Sequence, residues 1–321
     1  MKGAVLYSLG TPKYADIDEP VPQNDQQVVV KVLASTVKQL DISRSNGRHY
    51  LPYKDFPCTV GVDGVAQLDD GTLIYCWGIT GMIAEKALVT KGKWVVLDKD
   101  TDPLAAAALP NAVLGAGMAL KIRGQIKEGD TVLINGATGF TGKAAVQLAK
   151  IYGAKRVIAT GRNQASLDEL KNNLGADEII SLAQTDEAII SQVKKLHAES
   201  PISVVIDYIW GKPAELVLTG LIGTGHDYQQ VRYVSVGEMA GPTVNVKSSL
   251  LRSTAIEILG SGLGSFPAGA IEKFNVENLN SLLQTVKSGQ LKLHLKVVDL
   301  KDIESNWGGQ PDEGRIVVKI Q

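Results

Sequence analysis

The chain has 321 residues, 44% hydrophobic and 21% charged, with 33 Lys and Arg against 34 Asp and Glu. That length allows two domains, and the near-balanced charge excludes the strong field of a nucleic-acid or membrane-surface binder. Cys58 and Cys76, the two cysteines, exclude a disulfide framework and a four-thiolate metal site.

The opening, "MKGAVLYSLG", lacks the apolar region of a secretory signal, and no run approaches the roughly 20 apolar residues of a membrane helix. The expectation is a cytoplasmic protein with reduced thiols, no nucleic-acid partner and no membrane partner. Short β-branched runs follow: "MKGAVLYS", "QQVVVKVLAS", "GVDGVAQL" and "AEKALV", broken by Gly, Pro and Asp. At Pro103 the texture changes to an alanine-rich helix with a proline in its first turn.

From Thr131 strands and helices alternate. "TVLING" precedes a helix through Lys150, "KRVIATG" one to about Asn173, and "DEIISL" one over "TDEAIISQVKKLHAE". "ISVVIDYIW", "VRYVSVG" and "AIEILGSG" complete six strands, so the fold class is α/β with a doubly wound parallel sheet. The tail returns to a helix–strand–helix–strand texture and is expected to rejoin the first domain. The expected division is 1–111, 112–255 and a returning segment, 256–321.

Gly136, Gly139 and Gly142 stand between a buried strand and an amphipathic helix. Their spacing has a first interval one residue longer than the G-x-G-x-x-G fingerprint, so alone it also suits a tight turn. In the first βαβ unit, however, bare backbone and a helix N-terminus can receive a pyrophosphate. The candidate cradle is Gly136, Thr138, Gly139, Phe140, Thr141, Gly142 and Lys143. Lys143 in the first turn opposes the helix dipole, which a bound anion would reverse; a solvated lysine is the plainer alternative.

The second strand ends "VIATGRNQAS", with Gly161 where an NAD site places an acid and Arg162 beside it. A guanidinium can hold a 2′-phosphate bidentately, so the expected cofactor is NADPH, read by Gly161, Arg162 and Asn163. The alternative is a surface arginine before a helix that Asn163 caps.

The order of these parts resembles the medium-chain dehydrogenase/reductases, and the detail resembles their zinc-independent quinone oxidoreductase branch. "GMIAEKALV", "LAAAALPNAVLGAGMAL", "IKEGDTVLINGATGFTGKAAVQLAK" and "EGRIVVKI" carry the likeness, which covers essentially the whole chain. It implies a GroES-like β-rich catalytic domain, a Rossmann NADPH-binding domain, a cleft between them, and a homodimer. It also places Gly237 and Ser261, in "VSVGEMAG" and "ILGSGLGS", at the nicotinamide end.

The zinc ligands of the metal-dependent relatives would fall at Lys38, Val62 and Asn111, none a plausible thiolate or imidazole. Lys38 and Asn111 are expected instead to face the substrate carbonyl. The alternatives are that Lys38 pairs with Asp41 and that Asn111 caps a helix. Tyr53, on a loop with His49 and Tyr50, stands in for the tyrosine that relatives carry near Asp41, where this chain has Ser43 and Arg44. Gly115 is a further departure, since relatives often have Thr there. The reaction expected is NADPH-dependent reduction of a quinone or an activated α,β-unsaturated carbonyl. An enoyl or alkenal reductase and a non-catalytic NADPH-binding protein are the alternatives.

Overall fold

The structure is a computed structural model and describes residues 1–49, 51–223, 228, 230–308 and 314–320. The N-terminal part contains β1 (Lys2–Leu6), β2 (Lys13–Asp16), β3 (Gln27–Thr36), α1 (Gln39–Ser45), β4 (Cys58–Thr59), β5 (Asp63–Gln67), β6 (Leu73–Gly78) and β7 (Lys86–Val96). Then follow α2 (Pro103–Val113), β8 (Thr131–Asn135), α3 (Phe140–Ile151), β9 (Arg156–Gly161), α4 (Gln164–Asn173) and β10 (Glu178–Ser181). The chain continues through α5 (Asp186–Glu199), β11 (Ile202–Asp207), α6 (Gly211–Gly220), β12 (Gln230–Ser235), α7 (Ser248–Ser253) and β13 (Ala255–Gly260). It ends with α8 (Ala270–Lys287), β14 (Leu295–Asp299), α9 (Ile303–Asn306) and β15 (Arg315–Lys319).

Packing divides the chain into two units, Met1–Pro110 with Ile271–Gln321, and Asn111–Ala270. The first border lies at 110/111. The second is displaced from the expected 255/256 to 270/271, because Ala255–Gly260 is the parallel partner of β12 and cannot leave that sheet.

The first unit is a β structure. A small sheet runs β2-β1-β4, and a larger one runs β14-β15-β3-β5-β6-β7, with β7 pairing back onto β3. The returning tail enters this sheet through β15, antiparallel to β3 with Val317 opposite Thr36. Ala4, Leu6, Val60, Ile83, Ile316 and Val318 form one apolar cluster; Val30, Val32, Ala66, Ile74 and Val89 form another. Strands β2, β4 and β6 and helix α1 lie in stretches without a clear periodicity in the sequence.

The second unit is the doubly wound sheet, six parallel strands in the order β10-β9-β8-β11-β12-β13. Its central strand β8 is buried at every residue, as a strand covered by helices on both faces must be. Leu133, Ile158, Val205 and Val231 pack there against Ile189, Val193, Val217 and Leu221. The strand order reverses between β8 and β11, which opens a crevice at the carboxyl ends beside Asn135 and Asp207.

One expectation needs correction. Pro103–Arg123 is a continuous 21-residue helix, its later turns wider than α-helical, and it is long and apolar enough to cross a membrane by length and composition. Most of it is buried inside the protein, as in a core helix. The sequence hid its length because Pro110 and the glycines break up the apolar run.

Candidate active site

The glycine turn leaves β8 at Gly136, whose φ of +82° is open to glycine at little cost. A Cβ there would lie 2.6 Å from Ile209 Cγ2, and one on Gly142 would lie 2.6 Å from the Gly136 carbonyl oxygen. Those two glycines are therefore required by the turn itself. Gly139 differs. It caps α3 with φ −78°, and a Cβ on it would meet nothing within 4 Å. Its missing side chain leaves open space above a helix end that no side chain caps, where α3 can present N–H groups to an anion. Thr138, Phe140 and Thr141 sit half-buried around this opening.

Lys143 is not a free cation at the opening. Its ammonium pairs with Glu169 of α4 at 2.6 Å, so the cost of a cation in the first turn of α3 is offset within the protein. Gly161 closes β9, and a Cβ on it would lie 2.3 Å from Thr138 Cγ2. Position 161 thus has no room for the carboxylate of an NAD site. Next to it Arg162 is exposed and makes no ion pair among the described residues. Asn163 Oδ1 accepts from Ser166 N at 2.9 Å and caps α4, so this oxygen is committed to the helix.

Two other candidate residues of this unit, Gly237 and Ser261, follow the carboxyl ends of β12 and β13. Gly237 N donates to the Asp207 carbonyl at 3.2 Å, and a Cβ at Gly237 would meet the Tyr208 carbonyl at 2.5 Å. Ser261 is 6% exposed; its N donates to Ser235 O, and its Oγ has no hydrogen-bond partner among the described residues. Asn111 is half-buried inside α2 and is not a cap; its amide makes no hydrogen bond among the described residues.

Sequence reasoning missed a polar layer beneath the crevice. Thr160, Asn135, Asp207 and Tyr233 come from the adjacent strands β9, β8, β11 and β12, and all are fully buried. Thr160 Oγ1 donates to Asn135 Oδ1 at 2.6 Å, and Tyr233 Oη donates to Asp207 Oδ2 at 2.5 Å. Asp207 Oδ1 also accepts from Ile209 N and Trp210 N, both at 2.9 Å, holding Trp210 at a φ of +53°. Burial pushes the Asp207 carboxyl above its usual range, against the hydrogen bonds from Tyr233, Trp210 and Ile209. The lone acid closing the apolar run "SVVID" was the available signal.

In the first unit Lys38 lies in a buried polar cluster. Its side chain is 2% exposed, and Nζ lies 2.7 Å from Asp63 Oδ1, 3.0 Å from Thr36 Oγ1 and 3.5 Å from Asp41 Oδ2. Burial pulls the ammonium down, but Asp41 and Asp63 outweigh it and hold Lys38 above its ordinary value. The ion pair with Asp41 is the alternative the sequence offered, with Asp63 as the nearer partner. Asp41 in turn accepts from Lys38 N at 2.9 Å and from Val62 N at 3.0 Å, tying the start of α1 to the loop before β5.

That loop borders a cavity of about 580 Å³, lined among others by Arg44, Tyr53, Cys58, Gly61 and Val62. Tyr53 Oη accepts from Gly61 N at 3.2 Å, and its own hydrogen finds no acceptor among the described residues. The Arg44 guanidinium lies 4.5 Å over the Tyr53 ring, and Arg44 Nε donates to Leu51 O at 2.9 Å. Burial, with Asp41 nearby, pushes the Tyr53 phenol well above its usual value despite Arg44, so it keeps its proton at neutral pH. His49 Nδ1 accepts from Leu51 N, and Tyr50 lies outside the described residues.

The positions that hold zinc in metal-dependent relatives do not fit a metal here. Lys38 puts a positive charge there, Val62 has no donor atom, and Asn111 is a weak neutral ligand, against the thiolates and imidazoles that zinc prefers. Among the described residues no group of three His, Cys, Asp or Glu could hold a metal ion.

Residues 141–275 match the zinc-binding dehydrogenase family, a match that does not reach Lys38, Val62 or Asn111. The chain is 25% identical to the "Probable NADPH-dependent quinone reductase" of Emericella nidulans, over 98% of each protein. It is 26% identical to the mitochondrial enoyl-[acyl-carrier-protein] reductase of Arabidopsis thaliana, over 88% of this chain and 76% of that one. Among solved structures, the quinone oxidoreductase of Thermus thermophilus, known also in complex with NADPH, superposes with a TM-score of 0.80 at 27% identity, covering 100% of both chains. Along its whole length the chain is thus similar to quinone oxidoreductases of the medium-chain dehydrogenase/reductase superfamily, and over residues 141–275 to the zinc-binding dehydrogenase family model.

Proposed function

We propose that this protein is an NADPH-dependent oxidoreductase that reduces a quinone or an activated α,β-unsaturated carbonyl without a metal. The observation that carries the cofactor half is the pair Gly161 and Arg162. Thr138 fills the place of the acid that would bind a ribose hydroxyl, and the adjacent guanidinium is exposed and makes no ion pair among the described residues. Gly139, with open space beyond its Cα, supports a pyrophosphate over the start of α3. Gly237 and the orphan Ser261 Oγ are the proposed partners of the nicotinamide end. NADPH, when bound, supplies the hydride.

The chain's own part in the chemistry is to stabilise negative charge on an oxygen. A simple ketone concentrates that charge and calls for a strong electrophile. A quinone or enone delocalises it, so one or two oriented donors suffice, each worth roughly 3 kcal/mol in favourable cases. Tyr53 is the proposed first donor, because its Oη holds a proton that no described residue accepts. Asn111, with an uncommitted amide, is the proposed second.

The likeness to an enoyl reductase favours a second reading within enzymes, reduction of an enoyl or alkenal double bond. Steady-state NADPH oxidation with a panel of quinones and 2-alkenals tests both, since the better acceptor class by kcat/KM decides between them. Binding of NADPH without turnover on either class would sink the catalytic reading. The departure at Gly115 does not argue against turnover, because a Cβ there would already lie 3.0 Å from Thr141 Cγ2 and a threonine would crowd the turn. We also propose a homodimer. The outer edge of β13, which bears the 38% exposed Ile258, has no strand partner among the described residues, and sedimentation would read the association state.

A further inference from the structure

The ladder between β8 and β9 ends with Ile134 opposite Ala159. Beyond it the chain turns away at Gly136, so on the β9 side the backbone entering the glycine turn has lost its regular ladder, while Asn135 stays paired with Asp207 of β11. Thr160 takes over that role. Its Oγ1 accepts from Gly136 N at 3.1 Å and donates to Asn135 Oδ1 at 2.6 Å, while its carbonyl accepts from Ala137 N at 2.7 Å. Three consecutive residues of β8 and the turn are thus held by one fully buried threonine.

The hydroxyl matters because it both donates and accepts. The half-buried Gly136 N–H and the buried Asn135 amide oxygen face the same point, and one O–H group satisfies both. A valine of the same shape would satisfy neither and would leave both without that partner. Thr160 also immediately precedes Gly161 and Arg162. The same residue therefore fixes the turn beneath the pyrophosphate and the strand end from which the 2′-phosphate is read.

We propose that Thr160, through its hydrogen bonds to Asn135, Gly136 and Ala137, is the positioning residue that sets the glycine turn for dinucleotide binding. The proposal rests on the cradle reading above. It assigns Thr160 no contact with the cofactor; the residue acts through the backbone of the turn. Its loss should accordingly weaken NADPH and NADH alike, whereas loss of a group reading the 2′-phosphate would weaken NADPH alone.

The test titrates NADPH and NADH, by nucleotide fluorescence, into the full-length wild type, Thr160→Val and Thr160→Ser. Thr160→Val is expected to weaken both dinucleotides about tenfold, the loss expected when one hydrogen-bonded position in the turn is released, and to leave the ratio of the two affinities unchanged. Thr160→Ser, which keeps the hydroxyl, is expected to bind both within about twofold of wild type. Should the valine variant not fold by circular dichroism, Thr160→Ala takes its place with the same expectation. Wild-type affinities in a folded hydroxyl-less variant would overturn the proposal. So would a serine variant as weak as valine, since the methyl packing would then be what counts, or a loss confined to NADPH. A wild-type protein that binds neither dinucleotide would overturn the cradle reading itself, which separates that failure from failure of the threonine.

Discussion

The Lys38 ammonium and the Asp63 carboxylate stand 2.7 Å apart with side chains 2% and 5% exposed, at a position where metal-dependent relatives carry a zinc ligand. With Asp41 at 3.5 Å, two carboxylates surround one ammonium. Removing one partner of such a buried pair strands the other charge, at a cost of about 3–5 kcal/mol. Lys38→Met is expected to lose stability on that scale in urea unfolding of the first unit, and Lys38→Met with Asp63→Leu to recover part of it. Turnover per folded molecule should stay near wild type in both. A Lys38→Met protein of full stability and greatly reduced kcat would return the lysine to the chemistry.

The same arrangement predicts indifference to metal. Val62 and Asn111 offer zinc no strong ligand, and the charge of Lys38 repels a cation. Turnover is expected to survive prolonged chelation, with no stoichiometric zinc by elemental analysis. Chelator-sensitive activity that zinc restores would contradict this account of the site.

Arg162→Ala tests the choice of cofactor. A charge-assisted contact to phosphate is worth about 1.5–3 kcal/mol, so NADPH binding should weaken roughly ten- to a hundredfold while NADH binding barely changes. Equal losses would mean that Arg162 supports the start of α4 instead of reading the phosphate.

A pH dependence of stability is expected from His197. Its Nδ1 accepts from Ile202 N at 3.0 Å, and burial lowers its pKa below the ordinary imidazole value. The unfolded chain therefore binds the proton first as pH falls, so His197's contribution is complete above the ordinary imidazole pKa and declines below it. Melting temperatures measured between pH 8 and 5 should fall less steeply in His197→Gln than in wild type. Parallel slopes would exclude His197 as the source.

Much of this was legible in the sequence, for reasons that differ from residue to residue. The six-stranded sheet shows because buried parallel strands such as Thr131–Asn135 are continuous apolar runs bounded by turns. The glycine turn shows because Gly136, Gly142 and Gly161 are defined by local close approach. Lys38 misled because its partner Asp63 is 25 residues away, and sequence spacing offered only Asp41. The partner of Lys143, Glu169, was hidden in the same way, lying one helix further on. The polar layer of Thr160, Asn135, Asp207 and Tyr233 was invisible because it exists only across four neighbouring strands. Tyr53 was chosen as a substitute because the family's pattern fails at Ser43 and Arg44, and its surroundings came only with the fold.

The strongest test of the chemistry is Tyr53→Phe. The ring packs under Arg44 at 4.5 Å, so phenylalanine keeps the packing and loses only the Oη that faces Gly61 N and the cavity. If that oxygen donates its proton to the substrate oxygen, the contact tightens as negative charge develops, and its loss should lower kcat more than it raises KM. The expected fall is about tenfold to a few hundredfold, as for one oriented donor. An enone should suffer more than a quinone, because a quinone spreads the developing charge over a larger system. NADPH affinity should hold. Since burial keeps the phenol protonated well past its usual value, the wild-type kcat profile should show no alkaline limb from Tyr53 up to about pH 10. Asn111→Ala, measured beside it on the same quinone and enone, should show a milder loss of the same kind. If Tyr53→Phe turns over both substrates at the wild-type rate, the proton comes from solvent or another side chain, and the Tyr53 hydroxyl serves only to hold the Gly61 loop.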